Sequence, residues 1–159
     1  RRDAPMALPP NDHRMVDLKE ATTLSLSMEG GAMGRMRSAS LGGELKPIGE
    51  IVEAGYFWSF NGRVDGINGD PLARLDRGQN VRLKMVNDTA FPHAMHLHGI
   101  HFHEVAENGT LGPLRDTTLL ERGQTREIAF VADNPGPWLL HCHMLSHAAS
   151  GMMTKIVVG

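Results

Sequence analysis

The segment Val81-Arg82-Leu83-Lys84-Met85 alternates apolar with charged residues. Because successive side chains of a β-strand point to opposite faces, this alternation predicts a strand with one buried and one exposed face. Turn signals rich in Gly, Asn and Pro separate most of the strand-like segments of the chain. These segments occupy 23–28, 56–60, 81–86, 96–105, 117–120, 125–131, 137–142 and 153–158. Many short strands with frequent turns predict an all-β fold, a Greek-key β-sandwich or barrel.

Length and local composition divide the chain into an arm and one domain. The chain has 159 residues, of which 41% are hydrophobic, so one domain with a buried core is expected. Residues 1–14 contain three prolines and are predicted to form a linker or extended arm, which leaves 15–159 as the domain. A long Gly- and Met-rich loop is predicted over 29–50, where no periodicity is visible. A short helix is expected around 143–150. We interpret Met28, Met33 and Met36 as adaptable filler rather than as ligands of a cuprous substrate.

Charge and cysteine content exclude several classes of protein. The formal net charge is −2, from 16 basic and 18 acidic residues, which argues against a nucleic-acid partner. No apolar run reaches about 18 residues, so no membrane span is predicted. A single cysteine cannot form an intramolecular disulfide. The chain starts at Arg1 without an apolar signal-peptide core, which is typical of a processed product or a piece of a longer protein.

Histidine is concentrated in two short windows. Eight of the nine histidines lie in 93–103 and 141–147, and Cys142 lies inside the second window. On a strand, His141 and His143 point to one face and Cys142 to the other, so this tripeptide can serve two sites. His96 and His98 likewise share a face. Two such pairs on neighbouring strands would bring four imidazoles together, a pattern that favours metal binding.

The cysteine side of this pattern predicts a copper site. His147 follows Cys142 after five residues, and Met152 follows it after ten, so a loop can fold back and bring them together. With His93 from the first window, the set matches the two histidines, one cysteine and weak axial methionine of a blue-copper site. Zinc is the rival metal, although it has no use for the methionine. A Cys–His hydrolase is the rival enzyme, but it leaves the four other imidazoles unexplained.

The sequence supports only weaker predictions about the roles of the remaining three histidines. On a regular strand, His101 and His103 lie opposite His96 and His98. They are expected to be partly exposed or to support ligands, although a role in tuning or binding copper in an oligomer stays open. His13 is expected to be a linker residue without a role.

The two windows carry a family signature. His93-x-x-His96-x-His98-Gly99 and His141-Cys142-His143-x-x-x-His147-x-x-x-Gly151-Met152 closely resemble the C-terminal cupredoxin domain of multicopper oxidases, which include laccases and bacterial copper-resistance oxidases. The segments 58–62, 116–117 and 134–138 also resemble the family, and the resemblance covers 50–159 well. Family members usually have Pro where this chain has Ala94, which leaves the ligands intact.

The resemblance implies a cupredoxin-type fold and a copper-dependent oxidoreductase. His93, Cys142, His147 and Met152 would hold the type 1 copper, which takes electrons singly from a reducing substrate. His96 would serve the type 2 copper, and His98, His141 and His143 the type 3 pair. Electrons would pass from Cys142 through His141 and His143 to this trinuclear cluster, which reduces O₂ to water.

Several properties of the whole enzyme also follow from the resemblance. The family's cluster needs eight histidines, so half of its ligands would come from another cupredoxin domain or subunit. Axial Met152 implies a lower potential than in high-potential laccases. The implied reductant is a small phenol-like compound or cuprous ion, and the implied location is periplasmic or secreted. Two alternatives are a single-domain blue-copper electron carrier and a copper-binding module without turnover.

Overall fold

The secondary structure is almost entirely β. The computed structural model describes residues 6–9 and 12–159, and within them the chain forms thirteen strands, two short α-helices and a 3₁₀ turn at Gly66–Asn68. The strands are β1 (Thr22–Gly30), β2 (Ser38–Leu41), β3 (Glu44–Pro47), β4 (Trp58–Phe60), β5 (Ala73–Leu75), β6 (Gln79–Asn87), β7 (His93–Leu97), β8 (Phe102–Val105), β9 (Leu111–Arg115), β10 (Thr117–Leu120), β11 (Thr125–Ala132), β12 (Gly136–Cys142) and β13 (Met153–Val158). The helices are α1 (Ile48–Glu53) and α2 (Leu145–Ala149). The all-β prediction is confirmed.

The strands form two large sheets and a hairpin. One sheet has the order β4-β1-β6-β11-β8-β9, the other has the order β10-β7-β12-β13-β5, and β2 pairs with β3 alone. The pairs β1–β6 and β5–β13 are parallel, and the other pairs are antiparallel. The chain changes sheets between β7 and β8, which gives the crossing connections of a Greek key.

One hydrophobic core receives side chains from both large sheets. Val81, Leu83 and Met85 of β6 are fully buried in it, as their alternation predicts. Leu97 of β7 and Leu140 of β12 belong to the same core from the other sheet. Burial of apolar side chains on one face of each sheet is the main force that holds the two layers together.

The region 29–50 is more ordered than the sequence predicts. Instead of one long loop, β1 continues to Gly30, β2 and β3 form a hairpin, and α1 begins at Ile48. Gly42 and Gly43 make the hairpin turn with φ of +63° and +82°, the left-handed conformation that two-residue hairpin turns require. Met36 is buried in a small second core with Ile51. These strands have four residues each and pack through distant partners, so local periodicity does not reveal them.

The segment 96–105 also differs from its prediction as one strand. The strand β7 ends at Leu97, the chain turns through Gly99, and β8 begins at Phe102 in the other sheet. Gly99 has a φ of +68°, and a Cβ there would lie 2.2 Å from the Trp138 ring. The turn therefore needs glycine for both its backbone conformation and its close contact.

The segment 12–18, called the N-terminal arm below, packs on the outside of the larger sheet. Ile128 and Phe130 of β11 face the main core, whereas Ala129 and Val131 form a third small cluster with Val16. Both faces of β11 are therefore covered, which explains its incomplete alternation. Of the predicted arm at 1–14, residues 1–5, 10 and 11 lie outside the described residues, and the remainder contains no helix or strand. No helix in the described part of the chain is long and apolar enough to cross a membrane.

Candidate metal centre

Three donor atoms converge at one end of the smaller sheet. Because β7 and β12 are antiparallel, His93 at the start of β7 lies near Cys142 at the end of β12, and α2 adds His147. Sγ of Cys142 is 3.8 Å from Nδ1 of His93 and 3.8 Å from Nδ1 of His147. The two Nδ1 atoms are 3.2 Å apart. Within the described residues, this is the group of His, Cys and acidic side chains that is arranged to hold a metal ion.

A hydrogen-bond network orients His93. Its Nε2 lies 2.7 Å from the Thr89 hydroxyl, which is buried and is itself 2.7 Å from Oδ1 of Asn87. The Asn87 amide nitrogen donates to the carbonyl of Phe91 at 2.8 Å. With Nε2–H donating to Thr89, the lone pair of Nδ1 faces Cys142. Sequence reasoning missed Thr89 and Asn87, because neither belongs to a motif with metal-ligand spacing.

Backbone hydrogen bonds hold Met152 next to Cys142 and His147. Its N–H donates to the His147 carbonyl at 3.0 Å, and its carbonyl accepts from the Cys142 N–H at 3.1 Å. The residue is fully buried in the same core as Cys142. The loop from α2 to β13 therefore folds back and returns Met152 to the cysteine.

The ring of Trp58 covers the two histidines. Its centroid is 5.0 Å from that of His93 and 4.7 Å from that of His147. Two glycines make room for it: a Cβ at Gly31 would lie 2.2 Å from the indole, and a Cβ at Gly151 would lie 1.9 Å from the Trp58 carbonyl oxygen. Trp58 is 6% exposed, so water is largely excluded from this side of the donors.

Four more imidazoles form a second cluster on the opposite side of Cys142. His96 pairs with His141 across β7 and β12, and its ring centroid lies 4.6 Å from that of His98 and 5.6 Å from that of His143. Nε2 of His98 is 2.9 Å from Nε2 of His141. His141 is buried, whereas His98 and His143 are exposed, so the cluster opens to the surface.

Backbone carbonyls orient two of these rings. Nδ1 of His96 donates to the Asp116 carbonyl at 2.9 Å, and Nδ1 of His141 donates to the Cys142 carbonyl at 2.8 Å. Each bond leaves Nε2 without a proton, and in His141 this atom faces Nε2 of His98 at 2.9 Å. A histidine that binds metal commonly donates its other ring nitrogen in this way, so the two rings are oriented as candidate metal ligands.

Burial shifts the pKa values toward the neutral forms. Burial, and then the neighbouring His147, lowers the pKa of His93 to about 4. Burial also lowers the pKa of His147 and of His141. The same cause raises the pKa of the Cys142 thiol. The imidazoles are therefore ready to bind metal at neutral pH, whereas the thiol must lose its proton when a metal arrives.

The first cluster fits copper. In a trigonal site, the ion lies about 2.0–2.1 Å from each nitrogen and about 2.3 Å from the sulfur. The two nitrogens are then about 3.5 Å apart, and each nitrogen is about 3.8 Å from the sulfur. The measured separations of 3.2 Å and 3.8 Å are close to these values. The Cys142 thiolate and the Met152 thioether, which belong to the same core, are soft donors that favour copper over harder cations.

The remaining histidines lie outside both clusters. His101 is exposed in the turn between β7 and β8. His103 is buried on β8 in the other sheet, where its Nδ1 donates to the Gly112 carbonyl at 2.7 Å. Its Nε2 lies 3.2 Å from Nε2 of His13. His13, for which the sequence predicted no role, thus contacts the domain.

Comparisons with known proteins agree with this geometry. A family model described as "Multicopper oxidase" matches residues 45–159. Multicopper oxidase MmcO of Mycobacterium tuberculosis is 36% identical over 65% of this chain and 20% of its own length. A copper resistance protein A homolog of Pseudomonas syringae is 38% identical over 65% of this chain and 17% of its own length.

Solved structures extend the likeness to nearly the whole chain. Lac15 from a marine microbial metagenome is 39% identical with a TM-score of 0.64, over 99% of this chain and 32% of that one. A multi-copper oxidase from Pseudomonas thermotolerans is 28% identical with a TM-score of 0.70, over 99% of this chain and 34% of that one. The chain thus spans about a fifth of the curated relatives and a third of the solved ones. The predicted cupredoxin-type fold and copper cofactor are confirmed, and the chain belongs to the multicopper oxidase family.

Proposed function

We propose that this chain is the C-terminal copper domain of a laccase-like oxidase. His93, Cys142, His147 and Met152 would hold a type 1 copper. The observation that carries the proposal is the convergence of Sγ and two Nδ1 atoms within 3.8 Å of one another. Thr89 keeps His93 in the correct tautomer, and Trp58 keeps water away from the donors.

The second cluster would supply half of a trinuclear copper site. His96 would serve the type 2 copper, and His98, His141 and His143 the type 3 pair. Another cupredoxin domain or subunit would supply the other four histidines. Two observations support this division: the exposed rings of His98 and His143 open to the surface, and the chain spans only part of its relatives.

The bound coppers would supply one-electron redox chemistry, with a reducing substrate as electron donor and O₂ as the acceptor that becomes water. The part of the protein in this chemistry is to connect and orient the two sites. Cys142 belongs to the first site, and its chain neighbours His141 and His143 belong to the second, so three consecutive residues join them covalently. The hydrogen bond from His141 Nδ1 to the Cys142 carbonyl adds a second connection of 2.8 Å.

The reducing substrate would approach the first site along α2. His147 is the half-buried member of the first site, whereas His93 and Cys142 are buried. Next to it, Met144 is 38% exposed and Leu145 is 75% exposed, which gives the approach an apolar surface. A small phenol-like compound suits such a surface, and the thioether of Met144 suits a cuprous ion. The likeness to copper-resistance proteins supports a periplasmic or secreted location.

A blue-copper electron carrier is the second candidate. One observation favours it: the first site is complete within this chain, whereas the second has four of the eight histidines that a cluster needs. Under this alternative the chain exchanges electrons but consumes no O₂.

Copper loading tests the proposal. The loaded chain should show a strong blue absorption band, which Cys142→Ser should abolish and the matched variant His143→Ala should preserve. Persistence of the band in Cys142→Ser would contradict the type 1 assignment. Phenol-dependent O₂ uptake by the chain in its native assembly, lost in His143→Ala, would support the oxidase. Reversible bleaching of the band with no uptake would favour the carrier.

A further inference from the structure

A pair of histidines lies outside both clusters of the candidate metal centre, on the outer face of the larger sheet. His103 on β8 pairs with Ala129 of β11, whose side chain faces the arm rather than the main core. The arm crosses this face, anchored by the burial of Val16 and by a 2.9 Å hydrogen bond from the Asp17 N–H to Asn80. These contacts place His13 directly over His103.

The two rings present nitrogen atoms to each other. Nε2 of His13 and Nε2 of His103 are 3.2 Å apart, and the ring centroids are 5.2 Å apart with an interplanar angle of 56°. His103 is 7% exposed, and its Nδ1 donates to the Gly112 carbonyl at 2.7 Å. The lone pair of its Nε2 therefore points at His13, with the backbone support that metal-binding histidines commonly have.

The distance between the two Nε2 atoms favours one class of metal ion. With metal–nitrogen distances of about 2.0–2.1 Å, two nitrogens 3.2 Å apart subtend an angle of about 100° at the metal. That angle suits the tetrahedral or square-planar preference of Zn²⁺ or Cu²⁺ and is far from a linear two-coordinate Cu⁺.

We infer that His13 and His103 form a separate binding site for one divalent cation with nitrogen preference, Zn²⁺ or Cu²⁺, which fastens the N-terminal arm to the outer face of the sheet. This site uses no ligand of the proposed type 1 or trinuclear copper. It is therefore independent of the proposed function, and Cys142→Ser should leave it intact.

Cleavage by trypsin after Arg14 tests this inference locally. Arg14 is exposed next to His13. A protease must take the extended chain on both sides of the cleaved bond, including His13 and buried Val16, into its cleft, so cleavage requires the arm to leave the sheet. A ligand at about 100 times its dissociation constant suppresses the open state about a hundredfold, so Zn²⁺ or Cu²⁺ at that level should slow cleavage by that factor. Separate titrations of the copper-loaded chain with Zn²⁺ and with Cu²⁺ identify the preferred ion.

Variants separate this site from the others. His13→Ala and His103→Gln should abolish the protection, and glutamine can still bond the Gly112 carbonyl and preserve the fold. His143→Ala, which removes an exposed imidazole of the second cluster, should keep the protection. If neither ion slows cleavage of the unmodified chain, the pair is only a hydrogen bond and the inference is wrong. Protection that persists in His13→Ala would overturn it equally.

Discussion

Replacing Gly151 by alanine should disrupt the proposed type 1 copper site through the backbone. Gly151 separates α2 from Met152 and has a φ of +122°, a conformation that side chains disfavour. A Cβ there would lie 1.9 Å from the Trp58 carbonyl oxygen and 2.9 Å from its carbonyl carbon. Because both contacts are with backbone, no side-chain rotation can relieve them, and either β4 or the Met152 loop must move.

Two separate effects lower the free energy of unfolding of Gly151→Ala. The unfavourable φ contributes about 1–3 kcal/mol, and the forced displacement of packed backbone contributes about 1–3 kcal/mol. We expect a destabilisation of about 4 kcal/mol for Gly151→Ala. Gly123→Ala is the matched control, because Gly123 has a φ of +69° but no atom within 4 Å of its Cβ position. It should lose only about 1–2 kcal/mol.

Urea unfolding of the metal-free proteins measures both costs, and the blue band of the copper-loaded proteins measures the site. Gly151→Ala should lose much more stability than Gly123→Ala and should have a weakened or shifted band, whereas the control keeps the original band. Equal stability of the two variants, together with an unchanged band in Gly151→Ala, would refute the reasoning from close backbone contact.

Two further predictions concern His93. Thr89→Val removes the acceptor of its Nε2–H and should weaken copper binding about 10–100-fold, measured by chelator competition. Thr118→Val, at a buried threonine that bonds Glu104 instead, should leave copper affinity unchanged, and an equal loss there would contradict the role of Thr89. The metal-free protein should also lose stability as pH falls from about 6.5 to about 4, because the unfolded chain takes up a proton that buried His93 excludes. The contribution of His93 is at most about 3.4 kcal/mol. Urea unfolding of His93→Gln should show a correspondingly flatter pH dependence, and an identical slope would contradict the role of His93.

Local sequence patterns were sufficient to predict the strands whose apolar and polar residues alternate regularly. The alternation in β6 identified a strand whose apolar residues are buried, and β10 and β13 have their predicted bounds. The hairpin of β2 and β3 was missed because each strand is too short to show a period. The single strand over 96–105 was wrong because the glycine turn at Gly99 moves the chain to the other sheet, and apolar residues on both sides of that turn hide the break.

The sequence by itself determined the identity of the candidate ligands. Alternation on a strand is a local property of the backbone, so it separated Cys142 from its neighbours His141 and His143 without any knowledge of the fold. The tertiary structure alone decided which atoms meet: strand pairing brings His93 to Cys142, and Thr89 decides which nitrogen of His93 faces it. The same holds for the contact between His13 and His103, which are 90 residues apart. Such contacts depend on the packing of distant segments, and no local spacing encodes them.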